Sequence, residues 1–153
     1  MAERMTEALA NQMMDQGYHC SQCVLMHAAE VLGRDKDDAL RISSGLGGGL
    51  FHGEVCGTVS AAAVAISMAY GFHEPNPGER DDLLKAKIHE FEDRFLERYG
   101  TMCCRELLGG YDCTRGDDGQ PEGVPENPWE HCGEYCAFAC TVLDEILACG
   151  AIP

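Results

Sequence analysis

Ten cysteines in 153 residues carry the chemistry this chain can do. Thiolates hold soft metals and iron–sulfur clusters and exchange disulfides, so their placement decides among those uses. Cys56 sits in Gly53-Glu54-Val55-Cys56-Gly57-Thr58-Val59-Ser60, at the mouth of a stretch of small apolar residues. Cys20 and Cys23 make a Cys-x-x-Cys pair, with His27 four residues further on. On a helix these three project to roughly one side, as two ligands, a redox pair or packing. Cys20 lies where a helix is expected to start, and the helix dipole there favours a thiolate. Cys132, Cys136 and Cys140 recur every four residues in line with Leu143 and Leu147. That alignment reads mainly as a core stripe in which cysteine fills volume. Cys132 differs, because it falls in the first turns of its helix beside His131. Cys103 and Cys104 are neighbours that must point apart, so at most one of the two readily faces a given site. Cys113 lies in a loop, either reactive or incidental, and Cys149 is assigned no role.

Several chemistries are set aside by missing patterns. No Cys-x-x-Cys-His occurs, which argues against covalent c-type haem. No strand precedes Cys20, as a thioredoxin fold would require. Paired zinc-ribbon spacing, His-Glu-x-x-His and a Ser/His/Asp signature are all lacking. Ser44-Gly45-Leu46-Gly47-Gly48-Gly49-Leu50 fails as a nucleotide loop, with Leu50 in the sixth position and no strand before it. Its glycines suit a backbone that bends or approaches another segment closely. The bare amides of Gly47, Gly48 and Gly49 are then candidate contacts to a bound cofactor. An iron–sulfur cluster needs about four thiolates, and distant segments can supply them.

The chain carries 26 acidic and 11 basic residues, a net charge of −15. It has no basic cluster, so a nucleic-acid backbone would be repelled. The first seven residues are charged and lack the apolar run of a signal peptide, which places the protein in the cytoplasm. Disulfides are seldom structural there, so ten cysteines point to ligation or thiol chemistry. For any single cysteine, packing as a small hydrophobe is as good a reading. Val55 to Phe72 is uncharged and reaches the lower length of a membrane span. Its many Ala, Gly, Ser and Thr residues make it a buried central helix instead.

The remaining elements must carry the thiols to that helix. Periodicity predicts helices over 2–16, 21–32, 35–43 and 79–99, with a short one at 103–109. Asn127, Pro128 and Glu130 suit the cap, first and third positions of a last helix running to Cys149. Residues 110–127 lack periodicity and form a long loop, mobile or functional. No stretch alternates like a strand. One domain over 1–153 is expected, an all-α bundle of six or so helices around the small-residue helix.

Gly17-Tyr18-His19-Cys20-Ser21-Gln22, the Gly45–Gly49 run with Cys56-Gly57, Tyr99-Gly100 through Cys104-Arg105-Glu106-Leu107-Leu108-Gly109, and Cys132 together resemble the C_GCAxxG_C_C family of redox-active proteins. The resemblance maps its four characteristic cysteines onto Cys20, Cys56, Cys104 and Cys132. Thr58 stands where alanine is usual, and Ala61 where glycine is. Similar domains occur in split-Soret cytochromes, which implies a helical homodimer and, by analogy, an iron–sulfur centre. Cys23, Cys103 and Cys136 fall beside matched cysteines, as extra ligands or part of a thiol-rich core.

The leading expectation is therefore an iron–sulfur protein that transfers electrons to a redox protein or small redox molecule, or senses redox state. Cys20, Cys56, Cys104 and Cys132 are its expected ligands, with Cys23, Cys103 and Cys136 as substitutes. One alternative is a metal-free thiol–disulfide protein in which Cys20 or Cys132 attacks and a neighbour resolves. Another is a structural protein whose helices are tied by zinc.

Overall fold

A computed structural model describes residues 3–148. Helix α1 spans Glu7–Asp15 and begins where the Thr6 hydroxyl accepts a hydrogen bond from the Leu9 amide at 3.1 Å. That cap explains why it starts later than the periodicity from residue 2 predicts. Helix α2 spans Cys20–Leu32, with the Gln22 side chain accepting from the His19 amide at 2.9 Å. It ends at Gly33, whose φ of 67° suits the left-handed cap. Helix α3, Lys36–Ser43, is capped by Asp35 through the Asp38 amide.

Helix α4, Gly57–Tyr70, is the small-residue helix, and it packs against α2, α5 and α7. Ala61, Ala62 and Ala65 are fully buried, so three helices approach its axis closely. Helix α5 spans Glu79–Tyr99, as its stripe predicts, and inserts Phe91 and Phe95 into the core. Helix α6 is a single turn, Cys104–Leu107. Helix α7, Cys132–Ala148, packs against α1, α2, α4 and α5. It begins after the predicted Asn127 cap. Residues 127–132 make turns instead, in which Glu130 N bonds Asn127 O and Cys132 N bonds Trp129 O. The Trp129 ring meets Tyr111 edge-on at 4.9 Å, and that contact holds the turn to the 110–127 loop. Cys149 lies outside the described residues. The described residues form an all-α bundle, and its one β-like feature is a bridge between Val55 and Cys103. Among them no helix is long and apolar enough to cross a membrane.

Candidate functional site

Five cysteines line one cavity of about 790 Å³: Cys20, Cys56, Cys104, Cys113 and Cys132. Each comes from a different place in the chain, and local features deliver each one. Cys20 opens α2, and Cys56 is the residue before α4. The starts of these helices meet because Gly57 has no side chain. A β-carbon there would lie 2.8 Å from Cys20 Sγ. Cys56 and Cys104 are joined by backbone pairing between their segments. Cys56 N donates to Met102 O at 2.7 Å, and Cys104 N donates to Glu54 O at 2.6 Å. Cys132 opens α7, where Gly133 allows α1 to pack closely, with Glu7 O 3.1 Å from where a β-carbon would stand.

Cys113 is held by the 110–127 loop, which is built from specific bonds. Gln120 Oε1 accepts from Asp112 N at 2.7 Å, and Gln120 Nε2 donates to Asp112 O and Gly116 O. Tyr111 donates its hydroxyl to Asp117, and the Asp112 carboxylate accepts from both the amide and the hydroxyl of Thr114.

The glycine-rich segment contributes in an unequal way. Gly48 lines the cavity, whereas Gly47 and Gly49 permit close approach. A β-carbon on Gly47 would lie 2.7 Å from His19 Cβ, and one on Gly49 would lie 2.9 Å from Cys104 Cβ. Gly48, Gly49, Leu50 and Phe51 all have φ near +60°, making a left-handed turn with two side chains in it. Leu50 and Phe51 have β-carbons that disfavour this conformation by about 1–2 kcal/mol each. The turn carries the Phe51 ring edge-on to His19 at 5.0 Å, on the cavity wall.

The thiols perturb one another. Cys56 falls to about 7, chiefly because the Cys20 thiol hydrogen-bonds to it. Burial opposes this, while Thr58 Oγ1 at 3.1 Å and the Thr58 and Val59 amides help it. Cys20 rises well above the ordinary thiol range, because it is the donor to Cys56 and is buried beside other sulfurs. Burial pushes Cys132 up to about 12 and raises Cys104 strongly, with neighbouring sulfurs adding to both. One thiolate, on Cys56, therefore forms first and holds back its neighbours by like-charge repulsion. Among the described residues no three Cys, His, Asp or Glu side chains are grouped closely enough to hold a single metal ion.

The other predicted cysteines lie elsewhere. Cys23 and Cys136 are fully buried on α2 and α7, each perturbing the other's ionisation, and Cys23 Sγ donates to Ala10 O at 3.9 Å. Cys136 Sγ also reaches Cys20 O at 3.6 Å, and Cys140 is buried further along α7. Cys103 points away from the cavity and donates to Gly53 O at 3.4 Å. His27 is a buried core residue, bonded to Asp144 Oδ1 at 2.7 Å. Sequence reading left out Thr58 as a partner of Cys56 and the aromatic wall of Tyr18, Phe51, Tyr111, Trp129 and Tyr135, and it left Cys113 open between reactive and incidental. Thr58 was visible as a departure from the family motif. The spacing of the aromatics and of Cys113 held no comparable signal.

A family model described as "Putative redox-active protein (C_GCAxxG_C_C)" matches residues 18–146. No curated protein and no solved structure matches the chain.

Proposed function

The chain belongs to the C_GCAxxG_C_C family of redox-active proteins, and from that premise we propose that its cavity binds an iron–sulfur cluster used in electron transfer or redox sensing. The observation that carries this reading is the meeting of Cys20, Cys56, Cys104 and Cys132, from four separate elements, at one cavity wall. Thiolate is the donor such a cluster takes, and four is its usual number. A single zinc ion draws four sulfurs to about 2.3 Å from one atom, whereas a cluster distributes its ligands over several irons. The described side chains are not gathered for one ion, which favours the cluster over the zinc-tied alternative.

When bound, such a group supplies one-electron oxidation and reduction. The protein's own residues set the conditions for it. Cys56 is the thiol most ready to lose its proton, so it is the first to offer a thiolate. The Thr58 hydroxyl and the amides opening α4 favour negative charge on that sulfur. Cys20, Cys104 and Cys132 hold their protons more tightly, and a strongly bound cation would favour their release. Gly48 leaves bare backbone at the wall, and the aromatic side chains limit water. Tyr18, Phe51 and Trp129 line the cavity and are also more than a third exposed. That apolar rim suits contact with a redox partner protein, a small redox molecule or a second copy of the chain.

Purification under strict anoxia followed by iron, acid-labile sulfide and visible-spectrum measurements tests the proposal. Iron and sulfide in the wild type are expected to fall to background in Cys20→Ser, Cys56→Ser or Cys132→Ser. Cys23→Ser, Cys136→Ser and Cys103→Ser are expected to keep them. A colourless protein without iron or sulfide after anoxic reconstitution would sink the reading.

A further inference from the structure

Cys113 is outside the four family positions, yet an ordered loop holds it at the same cavity. Its sulfur lies beside Cys104. Both thiols pack in the small cluster with Leu108 and Tyr111, close enough to perturb each other's ionisation. They flank the same bare backbone. A β-carbon on Gly48 would lie 3.8 Å from Cys113 Sγ, and one on Gly49 would lie 2.9 Å from Cys104 Cβ. The two positions differ in access, since Cys113 is partly exposed while Cys104 is buried. They also differ in stiffness from the other touching pairs. Cys20 and Cys56 stand at the starts of two helices packed together in the core, and Cys23 and Cys136 lie inside two such helices. Cys104 is on a single turn and Cys113 in a loop, so their backbones can adjust to the narrow geometry of a disulfide.

We propose that Cys113 and Cys104 form a thiol–disulfide exchange pair whose substrate is a small uncharged or cationic disulfide. The charge selection follows from the cavity wall, which carries Asp15 and Glu130 and neither lysine nor arginine among its described residues, in a protein of net charge −15. Cys113, as thiolate, attacks one sulfur of the small disulfide. That S–S bond breaks, and the first small thiol leaves with the proton Cys113 gave up. Cys104, as thiolate, then attacks Cys113 Sγ in the mixed disulfide and displaces the second small thiol, which takes the proton from Cys104. Two protein thiols become one disulfide, and one small disulfide becomes two small thiols. Closing the pair removes Cys104 from the four proposed cluster thiols, so the reaction would oppose cluster loading. The pair itself rests on the placement of the two sulfurs and not on the cluster.

The test uses full-length, metal-free, fully reduced protein treated anoxically with cystamine, then alkylated, digested with trypsin and mapped by mass spectrometry. Trypsin cuts after Arg105, so the disulfide joins peptide 99–105 to peptide 106–115. This linked species is expected in most chains and at background in Cys113→Ser and Cys104→Ser. Its retention in Cys103→Ser assigns the bond to Cys104. Cystamine is expected to close the pair faster than glutathione disulfide, with the gap narrowing as salt is added. Linkage of Cys20 to Cys56 with Cys104 and Cys113 both alkylated would overturn the pair. Equal rates for the two disulfides at low salt would overturn the charge selection. Because no metal is present, failure here is distinct from failure of the cluster reading, which iron and sulfide content decides.

Discussion

At the scale of single residues, Thr58 is the most informative departure from the family pattern. Its hydroxyl is buried and 3.1 Å from Cys56 Sγ, where a usual alanine would offer no hydrogen bond. A donor to sulfur stabilises the thiolate over the thiol, so removing it raises the pKa. Cys56 titrates at about 7 in the reduced, metal-free protein. The fraction ionised at pH 7 therefore drops when the donor is lost. Thr58→Ala is expected to move the midpoint of Cys56 alkylation by iodoacetamide upward and to slow the reaction several-fold at pH 7. An unchanged midpoint in peptide-resolved rates would remove Thr58 from the account. Leu50 makes a separate case, since it is exposed and has a φ of 61° and ψ of 32°. Glycine there relieves about 1–2 kcal/mol of left-handed strain and returns about 0.4–1 kcal/mol through a freer unfolded chain. Leu50→Gly is thus expected to stabilise the protein by roughly 0.5–1 kcal/mol. Urea denaturation measures it, and a lower midpoint would mean that Leu50 makes compensating contacts.

At the scale of elements, the contact between α2 and α7 has a polar pin in an apolar seam. His27 Nε2 lies 2.7 Å from Asp144 Oδ1, and His27 is almost wholly buried. His27→Ala removes that bond and leaves a void, while Asp144, partly exposed, can return to water. The expected cost is about 2 kcal/mol, read as a lower melting temperature with the cysteine mapping unchanged. This pin also shows where sequence reading reached its limit. Helix α5 was legible to the residue, because Leu84, Ile88, Phe91 and Phe95 repeat at the helical period and Gly100 stops it. The centrality of α4 was legible from its small residues. Cys103 and Cys104 were seen to point apart, and the Cys136–Cys140 stripe was seen as core. The role of His27 was hidden, because its partner lies 117 positions away. The late start of α7 was hidden too. Asn127 and Pro128 carry a sound capping pattern, and the Trp129–Tyr111 contact overrides it. Cys113 could not be placed because its loop is fixed by Gln120, Asp112 and Tyr111, side-chain bonds that leave no periodic trace.

At the scale of the whole molecule, the site sits on the edge of the core, with Cys56 inside the main cluster and Cys20 and Cys132 packed against it. The main core runs through α1, α2, α4, α5 and α7, with Phe91, Phe95, Leu143 and Ile146 at its centre. Cys104, Leu108 and Tyr111 form their own small cluster beside the cavity. Folding of the bundle is driven by apolar burial in that main core, which needs no metal to assemble. A bound group would add stability in proportion to its affinity for the folded chain, without being the source of the fold. Chelation of reconstituted protein under anoxia is thus expected to abolish visible absorbance and lower the melting temperature, while far-ultraviolet circular dichroism stays helical. A zinc-tied bundle predicts the opposite order, with helicity and metal lost together. Collapse of the helical signal on chelation, reversed by zinc and not by iron with sulfide, would transfer the cavity from redox chemistry to structural support.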